Sequence, residues 1–260
     1  LGERVKVGNK VAVIGGGNAA IDAARTALRV GAKEVTIIYR RTQAEMPASA
    51  EEIEQATQEG VRLFFLAAPS SIKAKDGRLE LECIRMELGE PDASGRKRPV
   101  PIKGSEFALE FDTVIAAIGQ VPEIPYGFGL EKGRGEIIKV EPDTLATNLA
   151  GVFAGGDAVS GPALVVDALA VGKRAAFSID RFLKGEPLLP AKEAPKLTLG
   201  DISAEVLDKI KKAERQEIPV LPPEERKKGF QQVELGYTEE TALAEARRCL
   251  NCGAGAEILF

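Results

Sequence analysis

Histidine is missing altogether from the 260 residues. That removes Ser-His-Asp hydrolases, Cys-His proteases, His-ligated metal enzymes and any imidazole general base. Cysteine is scarce. Cys83, Cys249 and Cys252 are too few for a secreted disulfide framework and fit a reducing, cytoplasmic setting. A basic surplus is missing too: 39 acidic against 35 basic residues give a formal charge of -4, the wrong sign for a general grip on nucleic acid. No run approaches the roughly 18 uncharged apolar residues of a membrane span. The opening stretch, Leu1 to Val7, is charged where a signal peptide would be apolar. What the chain does have is core material. At 44% hydrophobic and 28% charged it can fold into one large domain or two ordinary ones.

The opening reads as a βαβ unit. Val11 to Ile14 is a short apolar run suited to a buried parallel strand. Gly15, Gly16 and Gly17 turn the chain, and Asn18 to Val30 has helical periodicity, closed by Gly31. Val35 to Tyr39 is a second strand, rich in β-branched residues. A helix over Ser49 to Glu59, ended by Gly60, and a strand over Val61 to Leu66 follow. From Ser71 to Glu110 the alternating pattern predicts antiparallel hairpins inserted into the α/β layer. Asp112 to Ile118 is again a buried strand. Beyond the Pro- and Gly-rich passage Val121 to Gly135, short strands are expected at Ile137–Val140 and Gly151–Ala154, and a long helix at Ala163–Leu183. After Pro187 the composition turns charged and proline-rich, with amphipathic helices expected near Ile202–Ala213 and Thr238–Arg248.

Three features can carry chemistry. Gly15-x-Gly17-x-x-Ala20 lies between a strand and a helix, as a dinucleotide fingerprint must. Gly15, Gly16 and Gly17 let the backbone approach a pyrophosphate, and the N–H groups at Asn18 and Ala19 open the helix toward its charge. The plain alternative is a glycine turn in an ordinary α/β layer. At the end of the second strand, where an NAD site carries an acid, stand Arg40 and Arg41. Guanidinium groups there favour the 2′-phosphate of NADPH, although arginines at a strand end are also common as solvated side chains. Gly156-Asp157 after a short strand, with Ala163, Leu164 and Val165 at a helix start, can hold a flavin's chain hydroxyl and face its ring. Taken alone, Gly-Gly-Asp is a turn.

Taken in order, Val11 to Asp22, Tyr39-Arg-Arg-Thr42, Glu45-Met-Pro47, Val114 to Gly119 and Gly151 to Asp157 closely resemble the small (beta) subunit of NADPH-dependent glutamate synthase. The resemblance extends to its relatives in the pyridine nucleotide-disulfide oxidoreductase group, and covers roughly residues 1 to 185. It implies an NADPH domain inserted into an FAD domain. Ala117 and Gly119 then mark the crossover back to the FAD domain, and Gly156 and Asp157 the second FAD motif. It implies hydride transfer from NADPH to FAD, with electrons passing through iron–sulfur centres to a larger partner subunit.

Two departures qualify the resemblance. Only nine residues precede Lys10, so the family's own FAD-binding glycine motif and its amino-terminal cysteine-rich segment are absent. The chain is therefore expected to be the carboxy-terminal part of a longer protein, holding half a flavin site. Its expected fold is α/β: a Rossmann-type NADPH domain over 1–118, the carboxy-terminal half of an FAD domain over 119–188, and a charged helical tail over 189–260. Cys249 and Cys252 in that tail are incidental thiols, part of a cluster motif, or a redox dithiol. Two thiolates alone cannot complete a four-ligand site. Cys83 reads as a small core residue. A thiol-disulfide reductase and a non-catalytic nucleotide-binding subunit remain as rival functions.

Overall fold

The computed structural model describes residues 5–92, 95–125, 127–190 and 213–248. The Cys249–Cys252 motif and nearly all of the helix expected at Ile202–Ala213 lie outside the described residues. The described residues fall into two compact units. One lies within 1–119 and also takes Glu217–Thr238; the other lies within Gln120–Gln216 and continues from Glu239.

In the first unit the strands β1 (Lys10–Ile14), β2 (Glu34–Tyr39), β3 (Arg62–Phe65) and β8 (Thr113–Ala116) form a parallel sheet in the order β3-β2-β1-β8. The pleat sends alternate side chains to opposite faces, and this divides the core in two. Val11, Val13, Val35 and Ile37 face helices α1 (Asn18–Arg29) and α2 (Ala50–Gln58), where Ile21, Ala24, Ile53 and Ala56 complete the cluster. Ala12, Ile14 and Ile38 face the other way, against Leu81, Cys83 and Phe111 of an antiparallel sheet. Apolar residues therefore occupy both faces of the parallel strands, as in other sheets covered on both sides.

The antiparallel sheet is built from β4 (Ala67–Lys75), β5 (Arg78–Pro91), β6 (Lys97–Pro101) and β7 (Phe107–Phe111), with β5 pairing all three others. Asp76 and Gly77, at φ +50° and +77°, form the two-residue turn that twists with its strands. The sheet begins four residues earlier than the expected Ser71, because Leu66 at φ +54° ends β3 and turns the chain directly into β4. The expected strand Asp112–Ile118 is shortened to β8, and β7 joins the other sheet just before it. Cys83 is fully buried, which pushes its thiol up to about 11 and leaves it inert.

Glu59 closes α2 beneath α1. Its side chain is wholly buried and accepts from Arg25 (2.7 Å) and Arg29 (2.7 Å), both themselves largely buried. Burial alone would push the carboxyl up, but the hydrogen bonds and charges of Arg29 and Arg25 together hold it below its ordinary value. Removing one partner of such a group leaves buried charge uncompensated. Glu59→Ala is therefore expected to cost about 3–5 kcal/mol in urea denaturation at neutral pH. A loss near zero contradicts this account. Because the folded pKa is lowered, the contribution is complete above roughly pH 4.3 and fades as pH falls through the folded value.

Glu217–Thr238 packs on the same unit. Arg226 of the short helix Pro223–Arg226 is buried, donating to the Leu221 carbonyl and, at 3.2 Å, to Gln58. The stretch after Pro187, which the sequence sets apart as one tail, is thus divided between the two units.

In the second unit the expected strands at Ile137–Val140 and Gly151–Ala154 reduce to single bridges, Lys132↔Ile138 and Ala146↔Phe153. The long helix, α4, runs Val165–Leu183; a one-turn helix, α3 (Asp157–Ser160), precedes it, and Gly161 at φ +75° followed by Pro162 keeps the two apart. The last expected helix is present as Glu239–Ala246.

Candidate nucleotide-binding site

Strand order marks out a candidate site. In β3-β2-β1-β8 the chain's direction of progress reverses at β1, and in open α/β sheets ligands bind beyond the carboxyl ends of the strands at such a point. Gly15, Gly16, Gly17, Asn18 and Ala19 follow β1, and Ala117 follows β8.

The glycines have different physical reasons to be glycine. Gly15 sits at φ +145°, and a Cβ on it would lie 2.2 Å from the Ala117 carbonyl oxygen. At Gly16 a Cβ would meet the Tyr39 ring at 2.5 Å. Gly17 is otherwise: its backbone is extended (φ -93°, ψ 177°), and the nearest atom to an added Cβ is Pro47 Cγ at 3.8 Å. Nothing in the fold forbids a side chain at Gly17. It is the N-cap of α1, with no side-chain cap and no acid in the first turn, so the positive end of the helix is left uncompensated. Ala20, fully buried, lies close under the turn.

The segment after β2 holds this turn in place. The Gly15 N–H donates to the Ile38 carbonyl (3.1 Å), and the Ala48 N–H donates to that of Gly16 (3.2 Å). The Ser49 N–H donates to the Asn18 side chain (3.1 Å), and the Tyr39 hydroxyl to the Glu45 carbonyl (2.8 Å). Glu45 is the first acid to follow β2 in the sequence, and Thr42 engages it through both its N–H (3.1 Å) and its hydroxyl (2.5 Å). Those Thr42 hydrogen bonds hold the Glu45 carboxyl below its usual range, with the Lys97 charge adding to the effect. The engagement was missed from sequence, although Thr42-x-x-Glu45 has the spacing of a capping box.

The two arginines part company. Arg40 is exposed and makes no hydrogen bond or ion pair among the described residues. Arg41 is buried: its Nε donates to the Lys97 carbonyl (2.7 Å) and its Nη2 pairs with Asp92 (2.7 Å). The expectation of a free arginine pair at the end of β2 is thus corrected to one free guanidinium.

Gly119, at φ +97°, is exposed at the close of the first unit. Gly156, Asp157, Ala163, Leu164 and Val165 belong to the second. Gly156 takes φ +64° as it caps α3, and the Asp157 carboxylate is exposed with no partner among the described residues. At the start of α4 the Leu164 N–H donates to Asp167 (3.2 Å), so that helix end carries its own acid. Leu164 and Val165 are 63% and 79% exposed. Among the described residues no group of His, Cys, Asp and Glu could hold a metal ion, and no helix is long and apolar enough to cross a membrane.

The chain is 46% identical over 256 residues to the NADP(+)-dependent formate dehydrogenase subunit beta of Moorella thermoacetica, covering 94% of this chain and 36% of that protein. It is 40% identical to the NADPH-Fe(3+) oxidoreductase subunit beta of Geobacter sulfurreducens, over 97% of this chain and 42% of the relative. The glutamate synthase [NADPH] small chain of Azospirillum brasilense is 40% identical over 70% of this chain and 39% of its own length. The chain therefore spans less than half the length of these curated relatives. Among solved structures, Lactococcus lactis thioredoxin reductase superposes with a TM-score of 0.55 at 22% identity, over 68% of this chain and 54% of the other. Mycobacterium tuberculosis FprA gives 0.56 at 20%, over 69% and 54%. These two likenesses speak for the fold. The family described as pyridine nucleotide-disulphide oxidoreductase matches residues 2–172, and it is to this family that the chain belongs.

Proposed function

We propose that this chain binds NADPH at the β1–α1 turn and delivers its hydride to FAD, within a longer flavin oxidoreductase that passes electrons to an iron–sulfur partner subunit. The observation that carries the reading is Gly17, a glycine the fold does not require, at an uncapped helix start beside Gly15 and Ala117. A backbone open at that point suits close approach of a pyrophosphate, whose charge the helix end favours. Arg40 supplies a guanidinium where an acid would select NADH, and Glu45 is withdrawn by Thr42.

The second unit supports the flavin part of the reading. Of the 19 residues of α4 only Ser178 is buried, while Val165, Val166, Leu169 and Leu183 are each more than 60% exposed. So much exposed apolar surface on one helix suits a further layer of protein. The curated relatives, each more than twice as long as the part matched here, have chain to provide it. Asp157 has its carboxylate open to accept from a flavin chain hydroxyl. FAD, when bound, supplies the hydride acceptor; the side chains of this protein bind and orient, and none is needed as an acid or base. The relatives named as beta subunits of a formate dehydrogenase and an Fe(3+) oxidoreductase support a partner subunit, and the one named as a glutamate synthase [NADPH] small chain supports NADPH as the nucleotide.

The nucleotide is tested by titrating NADPH and NADH against the wild type and Arg40→Ala. A charged hydrogen bond is worth roughly 1.5–3 kcal/mol, so NADPH is expected to bind at least about tenfold tighter than NADH, with most of that ratio lost in Arg40→Ala. Equal affinities in the wild type contradict the proposal.

A further inference from the structure

Arg41 raises a question that its sequence neighbour Arg40 does not. It stands where a second phosphate-binding arginine is expected, yet its guanidinium turns away from solvent and grips the hairpin of β5 and β6. The grip has two points. The Asp92 carboxylate lies just after β5, and the Lys97 carbonyl opens β6, so Arg41 holds both sides of the hairpin tip. The tip is closed across its base by the Asp92 N–H donating to the Arg96 carbonyl at 2.7 Å. The Arg41 carbonyl in turn accepts from the Leu66 N–H (3.2 Å), and the Leu66 carbonyl from the Met86 N–H (2.8 Å), tying the end of β2 to β5. The inserted hairpin is therefore fixed to the residue after Arg40.

That fixation carries a cation with it. The Lys97 side chain is exposed and bears its charge near enough to Glu45 to contribute to that carboxyl's lowered pKa. Glu45 is itself held on Thr42, two residues beyond Arg40. With its carbonyl on the Arg41 guanidinium (2.7 Å), Lys97 is held beside the residue that follows Arg40, and a dianionic group is held better by two cations than by one.

We propose that Lys97 completes the 2′-phosphate site together with Arg40, and that Arg41 is a positioning residue that seats the β5–β6 hairpin for this purpose. The proposal rests on the NADPH reading given above, and names the insertion between β3 and β8 as its second specificity element. Arg41 then sets cofactor choice without touching the phosphate. Asp92 contributes by fixing Arg41.

The test uses 2′,5′-ADP and 5′-AMP, which differ by the 2′-phosphate alone, in calorimetric titrations of the wild type, Lys97→Ala, Asp92→Asn and Arg41→Lys, with a thermal melt of each. The wild type is expected to favour 2′,5′-ADP. Lys97→Ala is expected to lower that preference about tenfold, the size of one charged hydrogen bond, while 5′-AMP affinity stays put. Asp92→Asn and Arg41→Lys are expected to lower it severalfold with Arg40 intact, again without moving 5′-AMP, which a merely structural loss would weaken as well. A wild-type preference that Lys97→Ala retains in full overturns the proposal and leaves the NADPH reading standing. Absence of any preference in the wild type overturns both.

Discussion

Purified alone, the 260-residue chain is expected to bind NADPH, to carry no stoichiometric flavin, and to show no NADPH-driven reduction of a dye. A dinucleotide needs a glycine-rich turn between strand and helix for its pyrophosphate. Among the described residues that element occurs at Gly15 to Ala20, and the NADPH reading assigns it. What the second unit offers FAD is the Asp157 carboxylate and the exposed start of α4, whose own Asp167 already accepts from the Leu164 N–H. Losing the pyrophosphate and adenine contacts removes several charge-assisted hydrogen bonds at roughly 1.5–3 kcal/mol each, enough to shift affinity by several powers of ten. Supplying the amino-terminal part of a full-length homologous subunit should restore yellow protein and turnover. Stoichiometric FAD and acceptor reduction by the 260-residue chain alone contradict the half-site reading. That part of the proposal would then be withdrawn.

The first βαβ unit was legible because its signals are local. A four-residue apolar run, three glycines and a helical period fix β1, the turn and α1 within one residue at most of their expected ends. The parallel sheet follows from the same pattern, and so does the antiparallel insertion, whose alternation survives in β5 with Leu81 and Cys83 buried on one face. Where the outcome depends on partners distant in sequence, the pattern was silent. Arg41 looks like its neighbour Arg40 until residues 51 and 56 positions away bury it. The contact of Arg226 with Gln58 spans 168 positions, and no composition shift announces that Glu217–Thr238 returns to the first unit.

The short strands in the second unit failed for a related reason. Ile137–Val140 and Gly151–Ala154 have strand-like residues, but a strand exists only to the length of its ladder, and each found a single bridged pair. The candidate site divides along the same line. The glycine turn could be read with the role of each glycine left open, since only packing shows that Gly15 and Gly16 serve the fold while Gly17 has room to spare. The grip of Thr42 on Glu45 was present as spacing and passed unread.

That difference between the glycines makes Gly17→Val the most direct test of the central claim, which is that the β1–α1 turn holds a pyrophosphate. The residue is extended, a conformation that a β-branched side chain adopts readily, and its added Cβ meets no protein atom nearer than 3.8 Å. The fold should therefore lose no more than roughly 1 kcal/mol, from the poorer N-cap. A pyrophosphate, in contrast, would meet the new methyl groups where it needs bare backbone N–H. Two lost hydrogen bonds to a charged group, at roughly 1.5–3 kcal/mol each, amount to at least about a hundredfold in affinity. NADPH titration of wild type and Gly17→Val, with a thermal melt of each, decides the matter. The account predicts a variant that melts within a few degrees of wild type and binds NADPH at least about a hundredfold more weakly; a variant that melts normally and binds NADPH as the wild type does would contradict it.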